Sequence, residues 1–397
     1  MSLTGKIIGF PGLEIDRVIR KDGIWVWAHP KRRPQCIYCD EGRLRVKATY
    51  TRTIKHTRQG NQVMTLYLRV PKYHCQACGR YFRHRFHGIL PRYRASEAFK
   101  LEVFEAHDGG VTQRKVSRTH GIGTATIERW YRRQISLRGS EIRQRNCPLV
   151  LGIDEHFFTR KAGFATTFVD LKNHKVFDVK LGRSEASLRG YLRSLKGRHK
   201  VRVVVMDLSD AYRSIARKYF PNARIVADRF HVVRLVNHHF MKQWSLHDPE
   251  GRKNRGLISL MRRHQWHLRS QQNDNLMTYL ADYPILKELY EAKQKINRYL
   301  LLKTLTKKRA RRHLRNYLTL VDQLKNSPLR TLAVTLERWM EPIIAMWRFS
   351  KNNGITEGFH TKMEMMSRRA YGFRNFENYR LRVLAHCGWD GIIHRAI

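Results

Sequence analysis

Apolar and polar residues alternate with period two along "VMTLYLRVPKYHC", residues 63–75, the signature of a strand with one face buried. Further short β-prone runs crowd between residues 149 and 228: "LVLGID", "FATTFVDL", "KVFDVKL", "VRVVVMD" and "ARIVAD". Between them the spacing shifts to the three-and-four of helices, in "SEASLRGYLRSLK" and "SDAYRSIARKYF". Helical spacing also governs "SEAFKLEVFEAH", which opens on an N-cap Ser96, and "VTQRKVSRTHGIGTATIERWYRRQI", which "GIG" breaks into two short helices. From Leu235 to Met346 the pattern is helical almost throughout, with apolar stripes opposite faces rich in "RR" and "KK". No repeat or low-complexity tract separates these stretches. Linkers are suggested around "HGILPRYRAS" and "RQRNCPL".

The two broken helices have the layout of a helix-turn-helix, the alternative being a plain three-helix bundle with a charged face. Its second helix, about Thr124 to Gln134, would offer Thr126, Arg129, Arg132 and Arg133 to DNA. After Pro148, three strands followed by alternating helices and strands give the order of a ribonuclease-H-like fold, with the first strand central and the fourth beside it. Asp154 then ends the first strand and Asp207 the fourth, at one edge of the sheet. Two carboxylates at the ends of apolar strands are costly unless something positive binds between them. Hard divalent cations such as Mg²⁺ or Mn²⁺ suit them, and a pair of ions about 4 Å apart clamps both oxygens of a phosphodiester displacement. A third acid would come from the helix begun by "ITEGFHTKMEMM": Glu357, with Glu364 two turns on as competitor. Glu155 would face away from the site. The helical stretch then sits as an insertion between the second and third acids.

Charge narrows the partner. Lys and Arg number 78 against 32 Asp and Glu, a net +46 spread along the whole chain and interleaved with aromatics, which implies a nucleic acid. No apolar run approaches the roughly 20 residues of a membrane span, and "MSLTGKIIGF" lacks a signal-peptide core, so a cytoplasmic, nucleoid-associated protein is expected. Of six cysteines, Cys36 with Cys39 and Cys75 with Cys78 form two knuckles that would bind one structural zinc as a ribbon. Cys147 and Cys387 are single and read as small apolar residues.

"GIDE", "VVMDLSDAY", "FPNARIVADRFHVVR" and "TEGFHTKMEMMSRRAYGFRNFENYRLRVL" resemble the bacterial insertion-sequence DDE transposases of the ISL-three family, and the order of modules is similar nearly throughout. The resemblance places the family's acidic triad on Asp154, Asp207 and Glu357. It also marks Asp228 and His231 in "DRFH" as accessory to the site, where a helix cap and a core imidazole are the plain alternatives. Where the family commonly has Asn, this chain has His360. Arg368 and Arg369 would approach DNA, while Phe373 and Phe376 could either join them or pack on the sheet. The implied activity is Mg²⁺- or Mn²⁺-dependent strand cleavage and strand transfer on double-stranded element ends and target DNA, by a homodimer assembled on DNA. A non-catalytic DNA-binding regulator and a structure-selective nuclease of the same fold are the alternatives. The expected organisation is multidomain α+β: a zinc ribbon over 1–90, a helix-turn-helix over 91–147, a catalytic core over 148–234 and 346–397, and an all-helical insertion over 235–345.

Overall fold

A computed structural model of the chain describes residues 8–143, 146–323, 327–349, 354–370 and 372–388. It divides into two compact units, one built chiefly from Met1–Arg138 and the other from Gly139–Arg368 with Gly372–Asp390.

The first unit is a sheet followed by helices. Strands β1 (Leu13–Arg20), β2 (Ile24–Pro30), β3 (Leu44–Gln59) and β4 (Gln62–Cys75) lie in the order β1-β2-β4-β3, and β5 (Tyr81–Arg83) pairs with β4. The predicted alternation is realised in β4: Met64, Leu66, Leu68 and Val70 are buried with Ile24, Val26, Ala28 and Ile54, while Thr65, Tyr67 and Arg69 turn outward. Helix α1 (Glu97–Asp108) starts where Ser96 Oγ accepts from Phe99 N–H, as its cap position requires. Helix α2 (Gln113–His120) is capped by Thr112 and ends at Gly121, whose φ of 59° only glycine adopts cheaply. Helix α3 (Thr124–Arg143) runs well past the expected end near Gln134, because buried Ile127, Tyr131 and Ile135 continue one stripe at four-residue spacing.

The second unit opens with an antiparallel meander, β6 (Val150–Thr159), β7 (Gly163–Asp170) and β8 (Lys175–Leu181). Helix α4 (Glu185–Ser194) leads to β9 (Val203–Met206), helix α5 (Asp210–Tyr219) to β10 (Arg224–Ala227), and helix α6 (Arg229–His247) follows. Ser184, Ser209 and Asp228 cap the three helices. Strand order is β10-β9-β6-β7-β8, with β9 parallel to β6 and β10 parallel to β9, so the first strand is central and the fourth adjoins it, as expected.

One expectation needs correcting. Asp154 does not end its strand, since β6 continues to Thr159 through its hairpin with β7. What ends is the parallel ladder: the last β6–β9 pair is Ile153 with Met206, and Asp154 and Asp207 are the next residue on each chain segment. The two acids therefore still share one level of the sheet.

Helices α7 (Arg255–Arg262), α8 (Ser270–Ala281), α9 (Pro284–Leu301), α10 (Lys307–Gln323), α11 (Ser327–Arg338) and α12 (Met340–Ala345) form the predicted helical stretch. Their apolar faces join the sheet in one continuous core, from Leu151 and Val204 through Phe240, Trp244 and Tyr290 to Trp339. Helices α13 (Gly354–Arg369) and α14 (Phe376–Cys387) return to the sheet. Phe373 and Phe376 pack there: Phe373 lies 5.3 Å from the Tyr379 ring and Phe376 5.2 Å from Phe158, which settles their alternative in favour of the core.

Candidate active site and metal centre

At the end of the β6–β9 ladder, apolar strands leave carboxylates where water is scarce. Asp154 is 7% exposed, and its Oδ1 accepts from Glu155 N–H at 2.8 Å. Asp207 is half-buried, and its Oδ1 is buried without a hydrogen-bond partner. Burial, with the nearby Asp154 and Glu155 charges against the opposing pull of His231, pushes its carboxyl up to about 6. An orphaned, reluctantly ionised oxygen beside a second carboxylate is what a divalent cation would relieve. The donor set fits hard cations.

Helix α6 adds two residues from its first turn. Asp228 caps the helix through Phe230 N–H and lies 3.5 Å from His231 Nε2, which also stands 3.9 Å from Asp154 Oδ2. Asp228 is thus the cap of α6 and at the same time the neighbour of His231. Burial opposes charge on His231, but the Asp154, Asp228 and Asp207 carboxylates outweigh it and raise its pKa.

Helix α13 contributes His360, whose Nδ1 is 3.9 Å from the same Asp154 Oδ2 and whose Nε2 is 3.2 Å from Thr167 Oγ1. Burial lowers its pKa, with Asp154 and Glu357 acting the other way. Glu357, one helical turn before, is exposed and forms no ion pair among the described residues. Its charge is felt at His360. Glu364 is committed to Arg368 at 2.6 Å, and Arg369 is exposed. Glu155 sits by Arg183 at 3.4 Å. His156 and Thr167 passed unnoticed in the sequence, although His156 falls two residues after Asp154 and so on the same strand face.

In the first unit, Thr126 is half-buried while Arg129, Arg132 and Arg133 are exposed on α3; Arg132 pairs with Glu128 at 2.6 Å and Arg133 donates to Tyr93 Oη at 3.1 Å. The four predicted cysteines converge, all sulfurs lying within 4.8 Å of one another. Cys36 and Cys78 are 3.7 Å apart and Cys39 and Cys75 3.6 Å. Zn–S bonds of about 2.3 Å in a tetrahedron give sulfur separations of about 3.8 Å, so the cluster has the dimensions of a zinc site. Each knuckle repeats one backbone pattern: Asp40 N–H returns to Cys36 O and Gly79 N–H to Cys75 O, each at 2.9 Å, with φ of 57° and 69°. The Cys78 and Ala77 N–H groups help pull the Cys75 thiol down to about 7, favouring the thiolate that binds metal.

Comparison with known proteins covers the cysteine cluster and the region of the sheet acids. Residues 32–78 match the family model described as the zinc-finger of transposases IS204, IS1001, IS1096 and IS1165. The transposase of insertion sequence element IS1001 from Bordetella parapertussis is 26% identical over 246 residues, 59% of this chain and 60% of the relative. The chain thus spans less than two thirds of that relative's length. Residues 151–383, more than half of the 397 and containing every acid of the sheet site, match the family model for the DDE-type transposases of ISL3 elements. The chain belongs to the ISL3 family of insertion-sequence transposases.

Proposed function

We propose that the protein is an active DDE transposase that binds the double-stranded ends of its element and catalyses divalent-metal-dependent strand cleavage and strand transfer. The observation that carries this reading is the pairing of Asp154 and Asp207 at the end of the β6–β9 ladder, with an Asp207 oxygen left buried and unpartnered in a chain of net charge +46. The strand order around them supports a ribonuclease-H-like core. Asp154 and Asp207, with Glu357 completing the set, would hold Mg²⁺ or Mn²⁺, which supplies activation of water and neutralisation of charge at the phosphodiester. Glu357's exposure distinguishes it from the sheet acids and leaves it available to an ion that arrives with DNA. Asp228 orders the start of α6 and keeps His231 beside Asp154.

DNA is gathered by the first unit. Helices α2 and α3 are proposed as a helix-turn-helix whose Arg129 and Arg132 meet the duplex, Arg132 exchanging Glu128 for a phosphate. Transposition joins two ends, so a homodimer on DNA is part of the reading. Nicking of a duplex carrying the element's terminal repeat, in Mg²⁺, tests it. Wild type cuts at the repeat boundary, and Asp154→Asn and Glu357→Gln lose at least about a hundredfold in rate, the scale of removing a charge-stabilising group. Equal cutting by Asp154→Asn overturns the assignment.

A further inference from the structure

Behind Asp154 runs a chain of polar groups that the cleavage reading leaves unused. Thr167 lies directly across β6 and β7 from Asp154 and is fully buried. Its hydroxyl stands 2.9 Å from His156 Nδ1 and 3.2 Å from His360 Nε2, and His156 Nε2 is 2.8 Å from the hydroxyl of Tyr379, itself 2% exposed. The His156 and His360 rings lie 5.2 Å apart. Two strands and two helices thus each send a polar side chain into one line, where unmatched groups would be expensive.

The line has a direction. The Tyr379 hydroxyl has one hydrogen-bond partner among the described residues, His156 Nε2, so the phenol donates and that nitrogen accepts. His156 then donates from Nδ1 to Thr167, Thr167 donates to His360 Nε2, and the remaining His360 N–H is on Nδ1. That nitrogen is the one facing Asp154 Oδ2, at 3.9 Å. The separation exceeds a hydrogen bond, and such contacts in ligand-free sites tighten when the ligand arrives. Asp154 Oδ1 is already held by Glu155 N–H, so Oδ2, which His231 Nε2 also faces at 3.9 Å, is the oxygen left for His360 to orient.

We propose that His360 is a positioning residue for the Asp154 carboxylate, fixed in its Nδ1–H tautomer by the buried relay Tyr379–His156–Thr167. This rests on the reading of Asp154 as a cation-binding acid. Groups that orient a ligating carboxylate from behind commonly govern metal affinity as much as rate.

The full-length protein is titrated with Mn²⁺ and free ion followed by electron paramagnetic resonance. The amide nitrogen of Asn occupies the place of imidazole Nδ1, that of Gln the place of Nε2. His360→Asn therefore keeps Mn²⁺ affinity within about threefold, whereas His360→Gln, His360→Ala and Thr167→Val weaken it about 10- to 100-fold, the range for losing such support. Thr167→Ser restores it. Thermal melts confirm that each variant is folded; should His360→Ala not fold, the Asn and Gln pair decides. Equal affinity in the Asn and Gln variants, or wild-type affinity in Thr167→Val, overturns the proposal. A wild type that binds Mn²⁺ but leaves end DNA uncut defeats the cleavage reading alone, because the Asn and Gln comparison still judges His360. A wild type that binds no Mn²⁺ with or without end DNA defeats both.

Discussion

Asp207 is held at a cost, and the cost has a pH signature. Its carboxyl is raised from 3.8 to about 6, first by burial. Well below pH 4 the group is protonated both folded and unfolded and the site costs nothing; between about pH 4 and 6 the unfolded chain ionises while the folded one stays protonated, so stability falls, and above 6 the loss levels off. A shift of this size corresponds to roughly 2–3 kcal/mol at neutral pH. Asp207→Asn, melted without divalent ions, is therefore more stable than wild type at pH 7.5 and indistinguishable from it near pH 4. Mn²⁺ reverses the order at pH 7.5 by stabilising the wild type only. A variant no more stable than wild type at pH 7.5 would show that the Asp207 environment is not the unfavourable one described.

At the scale of elements, the return of α14 to β8 depends on one buried pair. Arg380 donates from Nε and Nη2 to the Asp178 carboxylate at 2.6 and 2.8 Å, with both residues under a tenth exposed. Breaking one side strands the other charge, at about 3–5 kcal/mol, while replacing both by apolar groups of like volume is far milder. Urea unfolding should show that loss for Arg380→Met, and Asp178→Leu combined with it should recover most of it. Because α14 also carries Tyr379, the single variant should lower Mn²⁺ affinity as well. The zinc knuckles are a second local dependence. Among the described residues their apolar support is Leu44, Tyr73 and Phe82 around the cysteines, so chelation should expose the region from Cys36 to Phe82 to proteolysis, with one zinc released per chain. How far elements could be read beforehand follows from their patterns. The runs between 149 and 228 are apolar and bounded by capping residues, and each became the element its spacing dictated. Strand β1 was not legible, since Glu14, Asp16 and Arg17 dilute its apolar face and a register shift between Ile15 and Arg17 breaks the alternation. The four cysteines were visible as two spacings, because metal ligands sit at fixed short offsets. The line from His156 to His360 was not, because its partners lie 193 residues apart from Thr167 to His360 and meet only through packing.

At the scale of the whole molecule, the surplus of 46 positive charges would govern how the proposed DNA partner is met. Phosphate contacts release counterions, and log K falls with log salt by about 0.9 per phosphate neutralised. Many of the charges lie on helices other than α3, the helix proposed to read bases, so most binding energy on end-containing DNA should be shared with random DNA, and the two salt slopes should be nearly parallel. An arginine that meets a phosphate then has a defined signature: Arg129→Gln lowers the slope by about 1 on both DNAs, whereas one that reads a base weakens only the end sequence. Arg132 differs because it starts in an ion pair with Glu128. Its transfer to DNA leaves a carboxylate near phosphate, so Glu128→Gln should tighten binding modestly and most visibly at low salt, where screening is weakest. Fluorescence anisotropy across a salt series separates these cases. If Arg129→Gln and Arg132→Gln both leave slope and affinity unchanged on either DNA, α3 is not the helix that meets the duplex, and the basic faces of α7 to α11 become the surface through which the charge acts.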